Sequence, residues 1–152
     1  QSCAQGDPRQ ELGPGFHRDK FWSTNVSNRA VISTPNAPDA IGPYSQAIKV
    51  GNTVWLSGQI PLVPGTSELV AGDITAQAVQ AFKNLAAVAE AAGGSLQNAV
   101  KINISLTNLQ HFGAVNEVMT QFLQAPFPAR ATVQVAALPK GAQIEVEAIL
   151  VL

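Results

Sequence analysis

Residues 73–107 read DITAQAVQAFKNLAAVAEAAGGSLQNAVKINISLT, and this stretch contains both kinds of secondary structure. Asp73 is typical of an N-cap, and the glycine pair Gly93-Gly94 is typical of a helix end. Between them, apolar side chains recur at helical spacing, namely Ile74, Ala78, Phe82, Leu85 and Ala89. From Val100 onward apolar and polar residues alternate, as in a strand with one buried face. The stretch therefore predicts an amphipathic helix followed by a half-buried strand.

The sequence before this stretch predicts a short strand and a hairpin. Residues 31–33 form the short strand, and residues 34–43 form a loop that contains three prolines. Gly51-Asn52 is a turn signal between two β-prone runs, residues 47–50 and 53–57. We therefore expect an antiparallel pair of strands close to the amino-terminal end of the domain.

The sequence after this stretch predicts a second helix and two more strands. Asn108 is a candidate cap for a helix with Leu109, Phe112, Val115, Met119 and Phe122 on one side, and Pro126 and Pro128 end it. Residues 131–137 and 144–152 are strand-like and are separated by the turn Pro139-Lys140-Gly141. The order hairpin, helix, strand, helix, hairpin predicts an α+β fold, a mixed sheet with both helices packed on one face.

Composition indicates one domain and argues against several classes of partner. Hydrophobic residues make up 46% of the 152 residues and charged residues only 12%. The net charge of −1 gives no attraction for phosphate backbones, so nucleic acid is not an expected partner. No apolar run approaches the roughly 18 residues that a membrane span needs. We expect a domain at residues 31–152, with part of its sparsely charged surface buried against other copies.

Residues 1–30 are polar, rich in glycine, proline and serine, and without periodicity, which predicts an irregular extension. Two alternatives stay open: Phe16, Phe21 and Trp22 pin it to the domain or to a neighbouring subunit, or it is a mobile tail. Met119 is the only methionine, so the first residue is not an initiator. A cytoplasmic location is the expectation, with an organellar or exported form as the alternative.

The cysteine and histidine residues predict neither a disulfide framework nor a metal site. Cys3 is the only cysteine, and His17 and His111 are far apart, without a further ligand at zinc-type spacing. The chain also lacks a phosphate loop, a dinucleotide fingerprint and a Gly-x-Ser-x-Gly elbow. We therefore expect no metal and no cofactor.

Arg130 is the only arginine in residues 31–152, and it follows the stiff segment Phe127-Pro128-Ala129. A guanidinium held in a fixed direction is suited to bidentate binding of a carboxylate. Sequence spacing alone equally allows an ion pair between Arg130 and Glu145 or Glu147 across an adjacent strand. From the residues alone, the prediction is an anion-binding α+β domain.

Glu145 and Glu147 are two apart on a predicted strand, so they point to the same side of the sheet. Such a pair more often forms a solvated surface than a catalytic site. Tyr44, the only tyrosine, follows the Ile41-Gly42-Pro43 turn, and Ser57-Gly58 ends a strand where glycine permits close approach by a ligand. These positions are candidates for a site without yet defining one.

Four motifs together resemble the RidA (YjgF-type) family of reactive-intermediate deaminases. They are IGPYSQA at residues 41–47, LSGQIP at 56–61, FPARA at 127–131 and LPKGAQIEVEA at 138–148. Their order matches that of the family and they span nearly all of residues 31–152, so the set is specific although each motif alone is weak. Residues 1–30 have no counterpart in the usual compact form of the family.

This resemblance implies a chorismate-mutase-like α+β fold, a homotrimer with active sites in clefts between subunits, and hydrolysis of 2-imino acids or their enamine tautomers, such as 2-iminobutanoate and 2-iminopropanoate. By the same resemblance, Arg130 would bind the substrate carboxylate and Glu145 would hold or polarise the attacking water. The residues implied to line the pocket are Tyr44, Ser57, Gly58, Asn116 and Thr132, the last of which stands where many active members have cysteine.

Two other functions stay open at the level of sequence. One is a ribonuclease or translation inhibitor, which older names of the family suggest and which the negative net charge opposes. The other is a trimeric small-acid-binding or chaperone-like protein without catalysis, which Arg130 suits equally well. Release of ammonia from a freshly generated imine would separate these possibilities.

Overall fold

The computed structural model describes residues 28–152, so the predicted extension and its residues Phe16, Phe21 and Trp22 lie outside the described residues. Six strands are described, β1 (Ala30–Ile32), β2 (Ala47–Val50), β3 (Thr53–Gln59), β4 (Ala99–Leu106), β5 (Ala129–Gln134) and β6 (Ile144–Val151). The two α-helices are α1 (Ile74–Ala91) and α2 (Phe112–Phe122). Three short 3₁₀ turns complete the order, at Leu96–Asn98, Leu109–His111 and Pro139–Gly141.

Helix α1 is stabilised in the way that its sequence predicts. The side chain of Asp73 accepts a hydrogen bond from the backbone N–H of Ala76 at 3.1 Å, which satisfies one free donor of the first turn. The predicted apolar stripe is buried, and the ring of Phe82 stacks on that of Phe122 from α2 at 5.6 Å between centroids. This contact joins the two helices within one layer.

Helix α2 begins later than predicted. Asn108 caps the 3₁₀ turn Leu109–His111 rather than the helix, because its side chain accepts from the N–H of Gln110. The helix then runs from Phe112 and ends at Phe122, before the two prolines are reached. Of the predicted apolar side, Val115 and Met119 are buried, whereas Leu109 is 42% exposed and Phe112 is 40% exposed. The amphipathic pattern therefore overestimates how much of this segment faces the core.

The strand order is β1-β2-β3-β6-β4-β5, and it corrects one prediction about connectivity. Strands β5 and β6 do not form the expected hairpin. Strand β6 lies between β3 and β4 and is antiparallel to both, while β5 lies at the edge, parallel to β4. A parallel pair needs a crossover connection, and α2 supplies it between β4 and β5. The α+β fold with a mixed sheet and two helices is confirmed.

The sheet has two faces that differ in burial. On the helix face, the side chains that pack against α1 and α2 are almost fully buried, and they include Val54, Leu56, Ile102, Ile104, Val146 and Leu150. On the open face, Trp55 is 46% exposed and Val133 is 51% exposed. Glu145 and Glu147 alternate with buried residues of β6, so both carboxylates lie on the open face. Among the helices described in residues 28–152, none is long and apolar enough to cross a membrane.

Candidate functional site

Most of the predicted pocket residues line a single cleft. It has a volume of about 560 Å³, and we call it the carboxylate cleft because Glu145 and Glu147 line it. The sequence-predicted residues Tyr44, Ser57 and Gly58 lie in the same wall. The remaining lining residues are Pro38, Asp39, Ile41, Gln59, Ile60, Leu62, Pro139 and Lys140. A volume of this size is typical of a small-molecule site.

A β-bulge shapes the wall of the carboxylate cleft. Between Leu56 and Gln59, strand β3 advances three positions while β6 advances two, from Ala148 to Val146. The extra residue lies in Ser57-Gly58, and such bulges occur frequently beside active sites. The Ser57 N–H donates to the Gln46 carbonyl at 2.9 Å, and the Ser57 hydroxyl donates to the Ser45 carbonyl at 2.5 Å. These bonds hold the bulge in one conformation.

The side chain of Glu145 fills the space that Gly58 leaves. A Cβ atom added at Gly58 would lie 2.8 Å from Cδ of Glu145 and even closer to Oε1, far inside van der Waals contact. The group that approaches this glycine in the structure is thus a carboxyl group of the protein. The absence of a side chain at Gly58 therefore leaves the space that the Glu145 carboxyl occupies.

Replacement of Gly58 tests this arrangement. We expect Gly58→Ala to displace the Glu145 carboxyl and to lower kcat of the imine hydrolysis that the family resemblance implies by about tenfold or more, because misplacement of a reacting group by about 1 Å is costly. The fold should survive, since the far end of a glutamate can move. Gly113→Ala is the matched control, because a Cβ there meets nothing within 4 Å. A fully active Gly58→Ala enzyme in a kinetic assay would contradict the assignment.

Burial raises the pKa of the Glu145 carboxyl above its ordinary value, and the neighbouring Glu147 carboxylate raises this pKa further. Glu147 is the more exposed of the two and accepts a hydrogen bond from the Asn103 amide at 3.1 Å. A carboxyl group whose pKa moves towards neutrality is suited to take up and release a proton. The two glutamates of one strand thus differ in environment, which their spacing alone could not reveal.

A second group of predicted residues surrounds Arg130. A groove of about 340 Å³, here the arginine groove, is lined by Asn116, Met119, Thr120, Phe127, Pro128 and Arg130. Nη1 of Arg130 donates to Oδ1 of Asn116 at 2.5 Å and lies 3.6 Å from the sulfur of Met119. Because β4 lies between β5 and β6, the ion pair with Glu145 or Glu147 across an adjacent strand does not form.

Thr132 lies on the same strand as Arg130, two residues further along β5. It pairs with Ile104 and therefore points to the helix face, as Arg130 does. Its hydroxyl oxygen is buried and has no hydrogen-bond partner among residues 28–152. Thr132 thus lies on the same face of β5 as Arg130, but it does not line the arginine groove.

The two groups lie on opposite faces of the sheet. Arg130 is paired with Ile102, which is buried on the helix face. Glu145 is paired with Ser105 on the open face. Since paired residues point to the same side of a sheet, a single chain holds the two side chains on different sides. One chain therefore supplies two separate halves of a predicted site.

Two residues near these sites were not predicted from the sequence. Lys140 lines the carboxylate cleft, has a positive φ of 58° and donates from Nζ to the Ser67 carbonyl at 2.9 Å. Phe112 lies under Arg130, with 5.0 Å between its ring centroid and Cζ. The sequence identified Lys140 only as part of a turn and Phe112 only as a core position. In residues 28–152 no cluster of three potential metal ligands occurs.

The fold is α+β, and both clefts have the size and the few convergent polar groups that are typical of small-molecule sites. The chain belongs to the endoribonuclease L-PSP family, whose family model matches residues 34–152. The resemblance to RidA proteins is also confirmed. The chain is similar to RidA from a Psychrobacter species, with 56% identity and a TM-score of 0.79 over 82% of this chain and 100% of that one.

Relatives with assigned activities match nearly the whole described domain. A protein of Dermatophagoides farinae named 2-iminobutanoate/2-iminopropanoate deaminase is 54% identical over 84% of this chain and 99% of its own length. The human protein of the same name is 48% identical over 81% of this chain and 90% of its own length. The structure of E. coli TdcF with bound serine is 44% identical, has a TM-score of 0.77, and is matched over 98% of its length.

Proposed function

We propose that this protein hydrolyses 2-imino acids, or their enamine tautomers, to 2-oxo acids and ammonia. The observation that carries this proposal is the identity of about half of all aligned residues with relatives named 2-iminobutanoate/2-iminopropanoate deaminase. Both residue groups that such a reaction needs are present: a guanidinium for the carboxylate, in Arg130, and a partly buried carboxyl for a water, in Glu145.

The reaction itself needs little from the protein. Water adds to the carbon of a protonated C=N bond, a tetrahedral carbinolamine forms, and its C–N bond breaks as ammonia leaves. In this scheme Arg130 binds the carboxylate in a bidentate manner, and Glu145 accepts a proton from the attacking water. Glu145 then returns this proton to the nitrogen of the carbinolamine, so that ammonia leaves while the hydroxyl group loses its proton and becomes the carbonyl of the 2-oxo acid. Tyr44, Ser57 and Gly58 form the wall against which the substrate lies. Most of the acceleration would come from positioning and charge stabilisation.

The proposal includes assembly into a homotrimer. A substrate in contact with both Arg130 and Glu145 needs the arginine groove of one chain beside the carboxylate cleft of another, since the two lie on opposite faces of one sheet. The exposed apolar residues of the open face, including Trp55 and Val133, also favour burial against further copies. Three chains around a closed axis would satisfy both requirements.

The name of the family and the names of some related proteins of known structure suggest ribonuclease activity as the second candidate. The charges of the carboxylate cleft oppose it, because Asp39, Glu145 and Glu147 line the cleft with only Lys140 as a cation. Three carboxylates against one ammonium repel a phosphate backbone. The arginine groove offers one further cation, too few to attract nucleic acid strongly.

A coupled assay tests the proposed function. The protein is added to a threonine dehydratase reaction, and the formation of 2-oxobutanoate and ammonia is timed against the spontaneous hydrolysis of 2-iminobutanoate. The same preparation is incubated with RNA in parallel. Faster product formation without RNA cleavage supports the deaminase. Binding of 2-oxobutanoate without acceleration would indicate a non-catalytic small-acid-binding protein, and RNA cleavage alone would indicate the ribonuclease.

Replacement of Glu145 by glutamine should lower the activity of the protein and raise its stability at neutral pH. Glu145→Gln keeps the shape of the side chain, so we expect binding of 2-oxobutanoate to survive while kcat falls about 100-fold, as general base catalysis is lost. The pKa of Glu145 is higher in the folded chain than in the unfolded chain. The wild-type protein therefore loses stability as the pH rises from the ordinary pKa of a glutamate to the raised pKa of Glu145. The variant should therefore be the more stable protein at neutral pH.

Denaturant unfolding at several pH values measures this effect. The stability advantage of Glu145→Gln should shrink as pH falls below the ordinary glutamate pKa, where the wild-type side chain is protonated in both states. Glu147→Gln is the comparison variant. A larger loss of kcat in Glu147→Gln than in Glu145→Gln would reverse the assignment of the two carboxylates.

A further inference from the structure

Helix α2 presents three side chains to Arg130 at positions i, i+4 and i+7, namely Phe112, Asn116 and Met119. Residues at this spacing lie along one side of a helix. Asn116 and Met119 contact the same nitrogen, Nη1, whereas Cζ of Arg130 lies over the ring of Phe112, 5.0 Å from the ring centroid. The three contacts together restrict where the guanidinium lies beside the helix.

Phe112 is not needed in the core. It is 40% exposed, whereas Val115 and Met119 on the same helix are almost fully buried. The partner of Phe112 is the Arg130 guanidinium, because a guanidinium over an aromatic ring is attracted by the negative face of that ring.

These contacts leave one edge of Arg130 free. Nη1 is occupied by Asn116 and Met119, and no acceptor for Nε or Nη2 occurs in residues 28–152. Nε and Nη2 lie on one edge of the planar group and carry the two parallel N–H bonds that a carboxylate accepts. Rotation of the guanidinium about its long axis would turn this pair of donors away from the substrate.

We propose that Phe112 is a positioning residue that, by stacking on Arg130, fixes the plane in which the Nε and Nη2 donors meet the substrate carboxylate. The expected effect on enzyme kinetics rests on the proposed function. The contact between Phe112 and Arg130 does not depend on that function. Phe112 acts through Arg130 and need not touch the reacting atoms. Its contribution should be seen chiefly in KM, because an anchor of the carboxylate serves the bound substrate and the transition state alike.

The kinetic test compares two replacements of Phe112. Phe112→Leu removes the ring but keeps an apolar side chain, and we expect kcat/KM to fall about tenfold, mainly through KM. Phe112→Tyr keeps an aromatic face and should remain within about twofold of the wild-type value. Leu109→Ala is the control for loss of an exposed apolar side chain nearby, and it should leave both constants unchanged. Equal losses in Phe112→Leu and Phe112→Tyr would overturn the proposal.

A double-mutant cycle tests whether Phe112 acts through Arg130. In an Arg130→Lys background the planar group is absent, so Phe112→Leu should have little further effect on binding of 2-oxobutanoate. If the two losses are simply additive, the stack has no positioning role. This binding assay does not depend on turnover, so a protein that binds 2-oxobutanoate but fails the deaminase assay contradicts the proposed function alone.

Nuclear magnetic resonance gives a measurement that needs no ligand. The ring current of Phe112 should shift the guanidinium proton signals of Arg130 upfield, and this shift should disappear in Phe112→Leu and persist in Phe112→Tyr. Unchanged Arg130 signals in Phe112→Leu, with the remaining spectrum preserved, would show that the ring does not stack on the guanidinium. That result would overturn the proposal whatever the enzyme's activity.

Discussion

Arg130→Ala should lower kcat/KM for 2-iminobutanoate by about 10³-fold or more while the fold and the oligomer remain. A bidentate pair between a guanidinium and a carboxylate, removed from water, is among the stronger polar interactions, and its loss costs several kcal/mol. Within residues 28–152, Arg130 is one of two arginines, and Arg29 lies at the far edge of the sheet beside β1. No other guanidinium of the domain can take over its role.

The stability of the domain should change little in this variant. Arg130 is exposed and makes no ion pair with Glu145 or Glu147, so we expect a change in unfolding free energy of about 1 kcal/mol or less. Arg130→Lys should also lose most activity, because an ammonium is a point charge without the planar pair of donors. Lys83→Ala, which removes an exposed cation from α1, is the control. Normal turnover in Arg130→Ala would exclude it as the anchor.

Elements with local signals were predictable from the sequence. Asp73 and the glycine pair after α1 define a helix through contacts within a few residues, and the structure confirms both ends. The alternation in β4 likewise required only a period of two residues, and it holds from Ile102 to Leu106. Val100, which was predicted on the same buried face, is 47% exposed beside a register shift between Ala99 and Lys101. In each case the deciding interaction is close in sequence, so no knowledge of the partner elements was needed.

The position of β6 could not be predicted in the same way. Its pattern fits a strand next to β5 as well as one between β3 and β4, because the turn at Pro139–Gly141 carries no information about which edges are free. The choice depends on α2, which must cross from β4 to β5 and makes that pair parallel. Long-range pairing of this kind follows from the packing of the whole layer.

Connectivity also decides how the candidate site is divided. With a β5–β6 hairpin, Arg130 and the two glutamates would belong to neighbouring strands, and an internal ion pair would be a natural outcome. With β4 inserted between them, Arg130 faces the helices and Glu145 faces the open side. The motifs identified the residues of the two half-sites, but only the strand order reveals that one chain keeps them apart.

Mixing two inactive variants should therefore restore activity. In a closed trimer, each site would combine the arginine groove of one chain with the carboxylate cleft of its neighbour. Arg130→Ala chains keep an intact carboxylate cleft, and Glu145→Gln chains keep an intact arginine groove. After random exchange of equal amounts, about one quarter of the sites would combine two intact halves. Deaminase activity should then rise to about a quarter of the wild-type value, from nearly none in either parent.

Two measurements make this result decisive. Light scattering should first give a mass near three chains of 15.9 kDa each for the wild-type protein and for both variants, and a stable, active wild-type monomer would contradict the shared site. Exchange is then verified by mixing tagged and untagged chains.

A mixture of Arg130→Ala with Tyr44→Ala should behave in the same way, since Tyr44 lies in the cleft with Glu145. Tyr44→Ala mixed with Glu145→Gln should stay inactive, because both changes damage the same half. If exchange is complete and no mixture recovers activity, Arg130 and Glu145 do not act in one shared site between chains.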